Sequence, residues 1–551
     1  VKKISTLLLS ASLAASMLIA GCSSGQPANN NAAPPATNNQ PAPTPQDQAA
    51  KLLLLNNIKE PTSLDPPIGF DEPSYNILNN LMEGLTRLDA DQKPQPAAAT
   101  EWKISPDGKV YTFTLRENKW SNGDPVTAHD FEYAWKRMLD PKLASSAAPL
   151  AYIIEGAEAY NSGKGTADGV KVKALDDKTL EVTLAQPASW TLLLASNPAF
   201  FPVHKATDQK DPKWAAEAAT FVGNGPFKLT EWAHDSELKI MKNENYWDAA
   251  NVTLAGAVWK MIDDENTEYQ MFTNEELHRT TTVPADMADQ LFKDGKVLVK
   301  DGAGTELYRF NVTKEPFDNK NIRKAFSIAI DRQTLVDLVL MRKQKPATGF
   351  VSFGLPDANG AGQFREVGGD LTKYDPAEAK KLLEQGMKEK GYTQLPEVTL
   401  TYRSGTNYEK TAQALQEMFK QNLGVDVKLQ KVEGKVLTDM QKQLQFQLAR
   451  SSWLPDFGDA INFLDIFQTK SPSNRTGWSN AQFDKLIQDA YKEADDTKRI
   501  QMLHDAEKIL MDEAPIAPLY FYNTSLLQSD KVSGIESTSL SYTDLRKAVV
   551  K

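Results

Sequence analysis

The sequence predicts an α/β fold, on three observations. Apolar, strand-like runs alternate with amphipathic helical stretches from residue 51 onward. Two of those helices carry their own start and stop signals. Over residues 397–450 the order is strand, helix, strand, helix, strand, which is the pattern of a largely parallel sheet. At ~100–200 residues per domain, the length of 551 residues accommodates about three to five domains.

Residues 51–58 are an apolar first strand, closed by Glu60-Pro61-Thr62-Ser63-Leu64-Asp65-Pro66. Residues 102–105 and 110–115 flank Pro106-Asp107-Gly108, a turn that closes a hairpin, and a second pair, 170–174 and 180–184, flanks Asp176-Asp177. Between them lies a helix opened by a Thr127/Asp130 capping box, with Phe131, Ala134, Trp135 and Met138 on one face and Asp140-Pro141 as its stop. Residues 322–330 are helical. Asp375-Pro376-Ala377-Glu378 opens another helix, with Ala379, Leu382, Leu383 and Met387 on one side and Gly391 at its end. Strands at 397–402, 425–432 and 446–450 then alternate with helices at 408–423 and 435–444.

Composition excludes several function classes. The chain has 62 Lys plus Arg, 72 Asp plus Glu and a formal charge of −10, so it lacks the basic balance of a nucleic-acid binder. Its one Cys rules out an intrachain disulfide and any Cys-based metal cluster. The five His (His129, His204, His234, His278, His504) never stand three or four apart, which removes a zincin helix. Gly163-Lys164-Gly165-Thr166 lacks the spacing and the Ser/Thr of a phosphate loop, and Gly302-Ala303-Gly304 lacks the third glycine of a dinucleotide loop. No Gly-x-Ser-x-Gly elbow occurs. No cofactor and no catalytic constellation is expected.

The N-terminus reads as an address. Lys2 and Lys3 precede an apolar, small-residue stretch, so residues 1–21 are expected to be a secretory signal. The ending Ile19-Ala20-Gly21-Cys22 resembles a bacterial lipobox, which implies lipid on Cys22 after cleavage. Residues 23–50, rich in Pro, Asn, Ala and Gln, cannot bury a core. As a coil they would span roughly 30 Å. The expected location is the outer face of the plasma membrane, or its periplasmic side in a Gram-negative host, with the membrane touched through the lipid alone.

Four ordered stretches resemble the extracellular solute-binding proteins of family 5, the oligopeptide- and dipeptide-binding proteins of ABC transporters. They are Glu60 to Pro66 with Asn79, Glu83 and Gly84; Leu115 to Ala128 with Trp135; Gly223-Asn224-Gly225-Pro226-Phe227 leading to Asn243 through Asp248; and Asn319 to Arg332 with Thr476-Gly477-Trp478. The resemblance covers residues 52–525. It implies a bilobal, three-domain fold of the type II periplasmic-binding-protein class, with a hinge and a ligand cleft between the lobes. Lobe I would comprise 51–85, 206–309 and 519–551. An additional domain, 86–205, would pack on it; 310–518 would form lobe II, and the hinge crossings would lie near 309 and 519. The implied function is capture of short peptides by a monomer that delivers them to a permease driven by ATPase subunits. Two other readings share this fold: a receptor for a nickel chelate, haem, an opine or a saccharide, and a peptide-pheromone receptor.

The resemblance also implies a site. Asp456 matches the family residue that captures the peptide ammonium, with Ser452 and Leu454 supplying backbone hydrogen bonds. By its residues alone, Pro455-Asp456-Phe457-Gly458 is equally an ordinary turn. Arg450 matches an Arg that meets a peptide carboxylate; the alternative is a structural salt bridge, with Asp456 as one possible partner. Glu72 and Pro73 align with a loop that pairs with peptide backbone. Trp453 and Trp478 are pocket candidates or plain core, and Asp459 and Asp465 read as turn and surface acids. Leu277-His278-Arg279-Thr280 departs from the family's Gly-Glu-Leu-Asp-like sequence, as a ligand contact or as a solvated loop.

Overall fold

The computed structural model describes residues 51–551 except 90, 91, 539 and 541. The signal sequence, Cys22 and the tract 23–50 lie outside the described residues.

Three sheets carry the α/β architecture. The first is ordered Leu53–Asn56, Gly256–Lys260, Glu237–Lys242, Phe227–Ala233. Its first pair is parallel and the others antiparallel. The second, wholly antiparallel, is ordered Ala99–Ile104, Val110–Leu115, Thr179–Thr183, Val172–Asp176. Its first hairpin turns at Gly108, whose φ of +70° suits a residue without Cβ, while Ser105 N–H donates to the Val110 carbonyl at 2.9 Å.

The helix Ala128–Met138 packs on this second sheet as its pattern requires. Asp130 accepts from the Thr127 N–H at 2.8 Å, completing the capping box, and Phe131, Ala134, Trp135 and Met138 are all buried. Each large side chain on that face stabilises the fold by ~1.5–3 kcal/mol through burial. Arg137, on the other side, forks onto Asp65 at 2.9 and 2.7 Å and reaches Asp208 at 2.9 Å. The helix is thereby fastened to the segment that follows the first strand.

The third sheet has six strands, ordered Lys345–Pro346, Ile516–Leu527, Val297–Phe310, Leu448–Trp453, Val398–Arg403, Val427–Val432. The expectation of a largely parallel sheet holds only for its last three strands. The other pairings are antiparallel. The reason is topological: the chain enters this layer along Val297–Phe310 and leaves it along Ile516–Leu527, so these two long strands run in opposite directions side by side. Their register breaks between Asp301 and Thr305, at Gly302-Ala303-Gly304.

Behind the parallel strands, Phe310, Phe317, Phe326 and Phe419 form a chain of aromatic contacts at 4.8, 5.0 and 4.8 Å. The helix Pro376–Lys390 closes this core with the expected Asp375 cap and Gly391 stop. Gly386 lets it approach the helix Lys320–Ile328, since a Cβ there would stand 2.6 Å from Ile322.

Candidate functional site

A cleft of about 1200 Å³ opens between the first and third sheets. Its walls include Asn57, Glu72, Pro73 and Asn76 on one side, and Gly354–Pro356, Gln363, Phe457 and Gly458 on the other. Residues 279–283, 300–301 and 523–526 line it where the two long strands pass.

The candidate anchor segment is a strand for longer than expected. Leu448–Trp453 pairs through Ser451↔Leu307, Ser452↔Glu306 and Trp453↔Thr305, so the ladder ends three residues beyond Arg450. Leu454, 60% exposed, is the first residue past the last pair. The chain then turns at Pro455, and two contacts hold Asp456: its N–H donates to Asn462 Oδ1 at 2.7 Å, and its carbonyl accepts from Asn197 Nδ2 at 3.1 Å. The Phe457 ring stacks on Trp190 at 6.2 Å. Phe457 and Gly458 reach the lining of the cleft; Arg450, Ser452, Trp453, Leu454 and Asp456 stand outside it.

The Asp456 carboxylate has no ion-pair partner among the described residues. Burial raises its pKa, against an opposing hydrogen bond from Asn462. Its charge is felt by Tyr75 and by Tyr542, and Tyr542 also feels Glu72 and lines the cleft. The neighbouring acids have structural partners. Asp459 accepts from the Ile461 N–H at 2.9 Å, as a turn acid does, but it is only 5% exposed and forked by Arg499 at 3.0 and 2.8 Å, so it is not a surface acid. Asp465 accepts from Tyr491 Oη at 2.7 Å and is pushed up to about 7, first by burial and then by Asp456 and Asp459. A half-buried carboxylate among acids and aromatic rings with no cation beside it carries its charge at a cost that a cationic ligand group would offset.

Arg450 has a partner, and it is Glu306. Nε and Nη2 of the guanidinium contact the two carboxylate oxygens at 2.6 Å each, Tyr522 Oη donates to the same carboxylate at 2.6 Å, and the Tyr408 ring lies 4.3 Å from Arg450 Cζ. Asp456 is therefore not its counter-ion. Glu72 and Pro73 do line the cleft, but as the first turn of the helix Glu72–Leu81 and not as a loop. Asp71 caps that helix at Ser74 N–H, 2.9 Å, and Pro suits such a position because its missing N–H is not required there. The Pro73 carbonyl accepts from Asn57 Nδ2 at 3.1 Å. Trp478, 5% exposed and edge-on to Phe483 at 5.1 Å, is core. Trp453 is half-buried in the strand.

The ordered motifs turn out to be joints. Asn224 exchanges two hydrogen bonds with the Glu83 backbone at 3.0 and 2.9 Å, and the Glu83 carboxylate accepts from Trp247 Nε1 at 2.7 Å and from Tyr246. Gly225 presses on the helix end so closely that a Cβ would meet Met82 N at 2.5 Å. Sequence reasoning missed Glu306, whose strand it did not recognise, and left Arg279 undecided; the structure buries Arg279 in the cleft wall.

Comparison with known proteins agrees with this architecture. The family model described as bacterial extracellular solute-binding proteins, family 5 Middle, matches residues 93–475. The dipeptide-binding protein DppE of Bacillus subtilis is 54% identical over 90% of this chain and 92% of its own length. The oligopeptide-binding protein OppA of the same organism is 42% identical over 89% and 91%. Among solved structures, the unliganded open form of the periplasmic murein tripeptide-binding protein MppA superposes with a TM-score of 0.78 at 33% identity, covering 91% of this chain and 98% of that one. Listeria monocytogenes OppA bound to peptide gives 0.73 at 33%, over 91% and 99%. The fold is thus the bilobal α/β type II class, and no helix among the described residues is long and apolar enough to cross a membrane. With the family model spanning more than half its length and two relatives matching nearly all of the described body, the chain belongs to the bacterial extracellular solute-binding proteins of family 5.

Proposed function

We propose that this protein is the substrate-binding component of an ABC importer, capturing short peptides between its lobes and delivering them to a membrane permease with its ATPases. The observation that carries the reading is Asp456: a carboxylate with raised pKa and no ion-pair partner among the described residues, just past the end of a central strand and electrostatically coupled to the cleft-lining Tyr542. The relatives' names, dipeptide- and oligopeptide-binding proteins, support the substrate class. The protein acts as a monomer, by binding and release, without a catalytic step. Lobe I is assigned to 51–85, 206–309 and 519–551, the additional domain to 86–205 and lobe II to 310–518. The register break at Gly302–Gly304, opposite Phe521–Asn523, supports a hinge a few residues before 309 and just after 519.

The test is a titration with a mixed pool of di- to hexapeptides. Closure should reduce the radius of gyration in solution scattering. At a hundredfold excess over Kd, binding should also stabilise the fold by ~2.7 kcal/mol. A pool that leaves both readings unchanged sinks the peptide assignment.

Lipid on Cys22 is part of the same proposal. Cys22→Ala should move the protein from the membrane fraction to the medium or periplasm; a variant that stays with the membrane would show that residues 1–21 anchor it themselves.

A further inference from the structure

Arg279 is 9% exposed, lines the cleft, and has no carboxylate within ion-pairing distance among the described residues. Among the described residues its one side-chain hydrogen bond is a long contact from Nη2 to Ser537 Oγ, at 3.4 Å. The other cleft-lining guanidiniums are paired: Arg87 with Glu83, Arg342 with Glu265, Arg546 with Asp544. Burying a guanidinium without an acid is costly; Arg309, Arg323 and Arg332 offset that cost with short bonds to backbone carbonyls, and Arg279 makes none among the described residues. Burial alone pushes Arg279 down to about 10.

The backbone around Arg279 is fixed on both sides. The Leu54 N–H donates to His278 Nδ1 at 3.0 Å, and Thr280 exchanges hydrogen bonds with Leu527, at 2.9 Å in each direction. The nearby buried acid, Glu268, is engaged by Asn56 Nδ2 at 2.8 Å and by Thr281 N–H at 2.7 Å. Lys300, exposed on the strand Val297–Phe310, lines the same cleft and also lacks an ion pair among the described residues; burial first and Arg279 second lower its pKa. Glu536, whose field opposes that shift, is bonded to Lys547 at 3.1 Å. Both cations line the cleft, Arg279 in contact with Ser537 and Lys300 paired in register with Thr524.

We propose that Arg279, with Lys300 beside it, is a carboxylate subsite of the cleft, so that the receptor favours peptides bearing a negative group at that position. A carboxylate accepts two parallel N–H donors from a guanidinium fork, and the ammonium adds a point charge. The group is an acidic side chain or the peptide's own C-terminus. This deepens the peptide reading and rests on it.

The experiment is calorimetry with tri- and tetra-alanine peptides carrying one Gln or Glu at each position after the first, each as free acid and as C-terminal amide. In the wild type, at least one Glu/Gln or acid/amide pair should differ by about tenfold or more, the size of a desolvated charge contact. R279Q and R279M should bring that ratio to about one while leaving the neutral peptides within about twofold of wild type. K300Q should reduce the ratio partway. Ligand-free R279M should melt no lower than wild type, because it removes a buried unpaired cation.

Glu/Gln pairs against acid/amide pairs identify the source of the carboxylate. If neutral and charged peptides bind the wild type alike, the subsite is refuted and the peptide reading stands. The same holds if R279Q weakens both kinds equally, or if R279M melts well below wild type. Binding of none of these peptides refutes the peptide reading and the subsite with it.

Discussion

Asp456→Asn should weaken binding of a free-ended peptide by roughly 30-fold to several thousandfold. The figure follows from the ~2–5 kcal/mol lost when one member of a desolvated charge pair is removed, at 1.4 kcal/mol per decade. Asn keeps the shape and one acceptor, so the loss reports charge. The backbone contacts of residue 456, to Asn462 and Asn197, do not involve the carboxylate and should survive. Ligand-free stability should hold or rise, since burial without a cation penalises that charge in the folded state. N-acetylation of the peptide should do comparable damage in the wild type and little more in the variant. That non-additivity, measured as a double cycle, is what assigns the ammonium to Asp456. Equal binding of acetylated and free peptides by the wild type would return Asp456 to the role of a turn residue.

The parts of this molecule that were legible in its sequence are those whose determinants are local. The helices Ala128–Met138 and Pro376–Lys390 each carry a cap, an apolar face and a stop within one contiguous stretch, and both form within about two residues of their expected bounds. The alternating strands and helices of 397–453 are local in the same sense. The two long strands were not legible, because Val297–Phe310 is interrupted by a Gly-Ala-Gly kink and carries Lys300, Asp301, Glu306 and Arg309 within it. Those charges fit a strand only once the neighbours are known: Glu306 needs Arg450, 144 residues away, and Arg309 needs Ser451 and the Ser473 carbonyl.

The same distinction runs through the site. Asp456 was singled out by a family pattern that marks its segment, and Arg450 by that pattern together with the rule that a cation on an apolar strand face demands a partner. The partner itself could not be named. Glu72-Pro73, expected as a loop, line the cleft as the first turn of a helix, because Asp71 caps it. Arg279 was visible only as a departure from the family sequence. That it lacks an acid is a property of everything packed around it, which no stretch of sequence contains.

Glu306→Leu should be among the most destabilising single changes in the six-stranded sheet. The Glu306 side chain is 1% exposed and accepts from both Arg450 and Tyr522, so its loss leaves a guanidinium only 9% exposed without a counter-charge. Breaking a buried pair from one side costs about 3–5 kcal/mol. Arg450→Met alone should cost a similar amount by stranding the carboxylate. The double variant Glu306→Leu, Arg450→Met should recover most of the loss, because replacing both charges with apolar groups of similar volume is often neutral. Urea titration of the four proteins gives the coupling directly, provided the slope with denaturant is unchanged. The recovered double variant then separates the two readings of Arg450. A guanidinium whose Nε and Nη2 are held by Glu306 is structural, and peptide affinity should be close to wild type. Selective loss of affinity for free-acid peptides over their amides would show instead that Arg450 leaves Glu306 to meet the ligand's carboxylate when the lobes close.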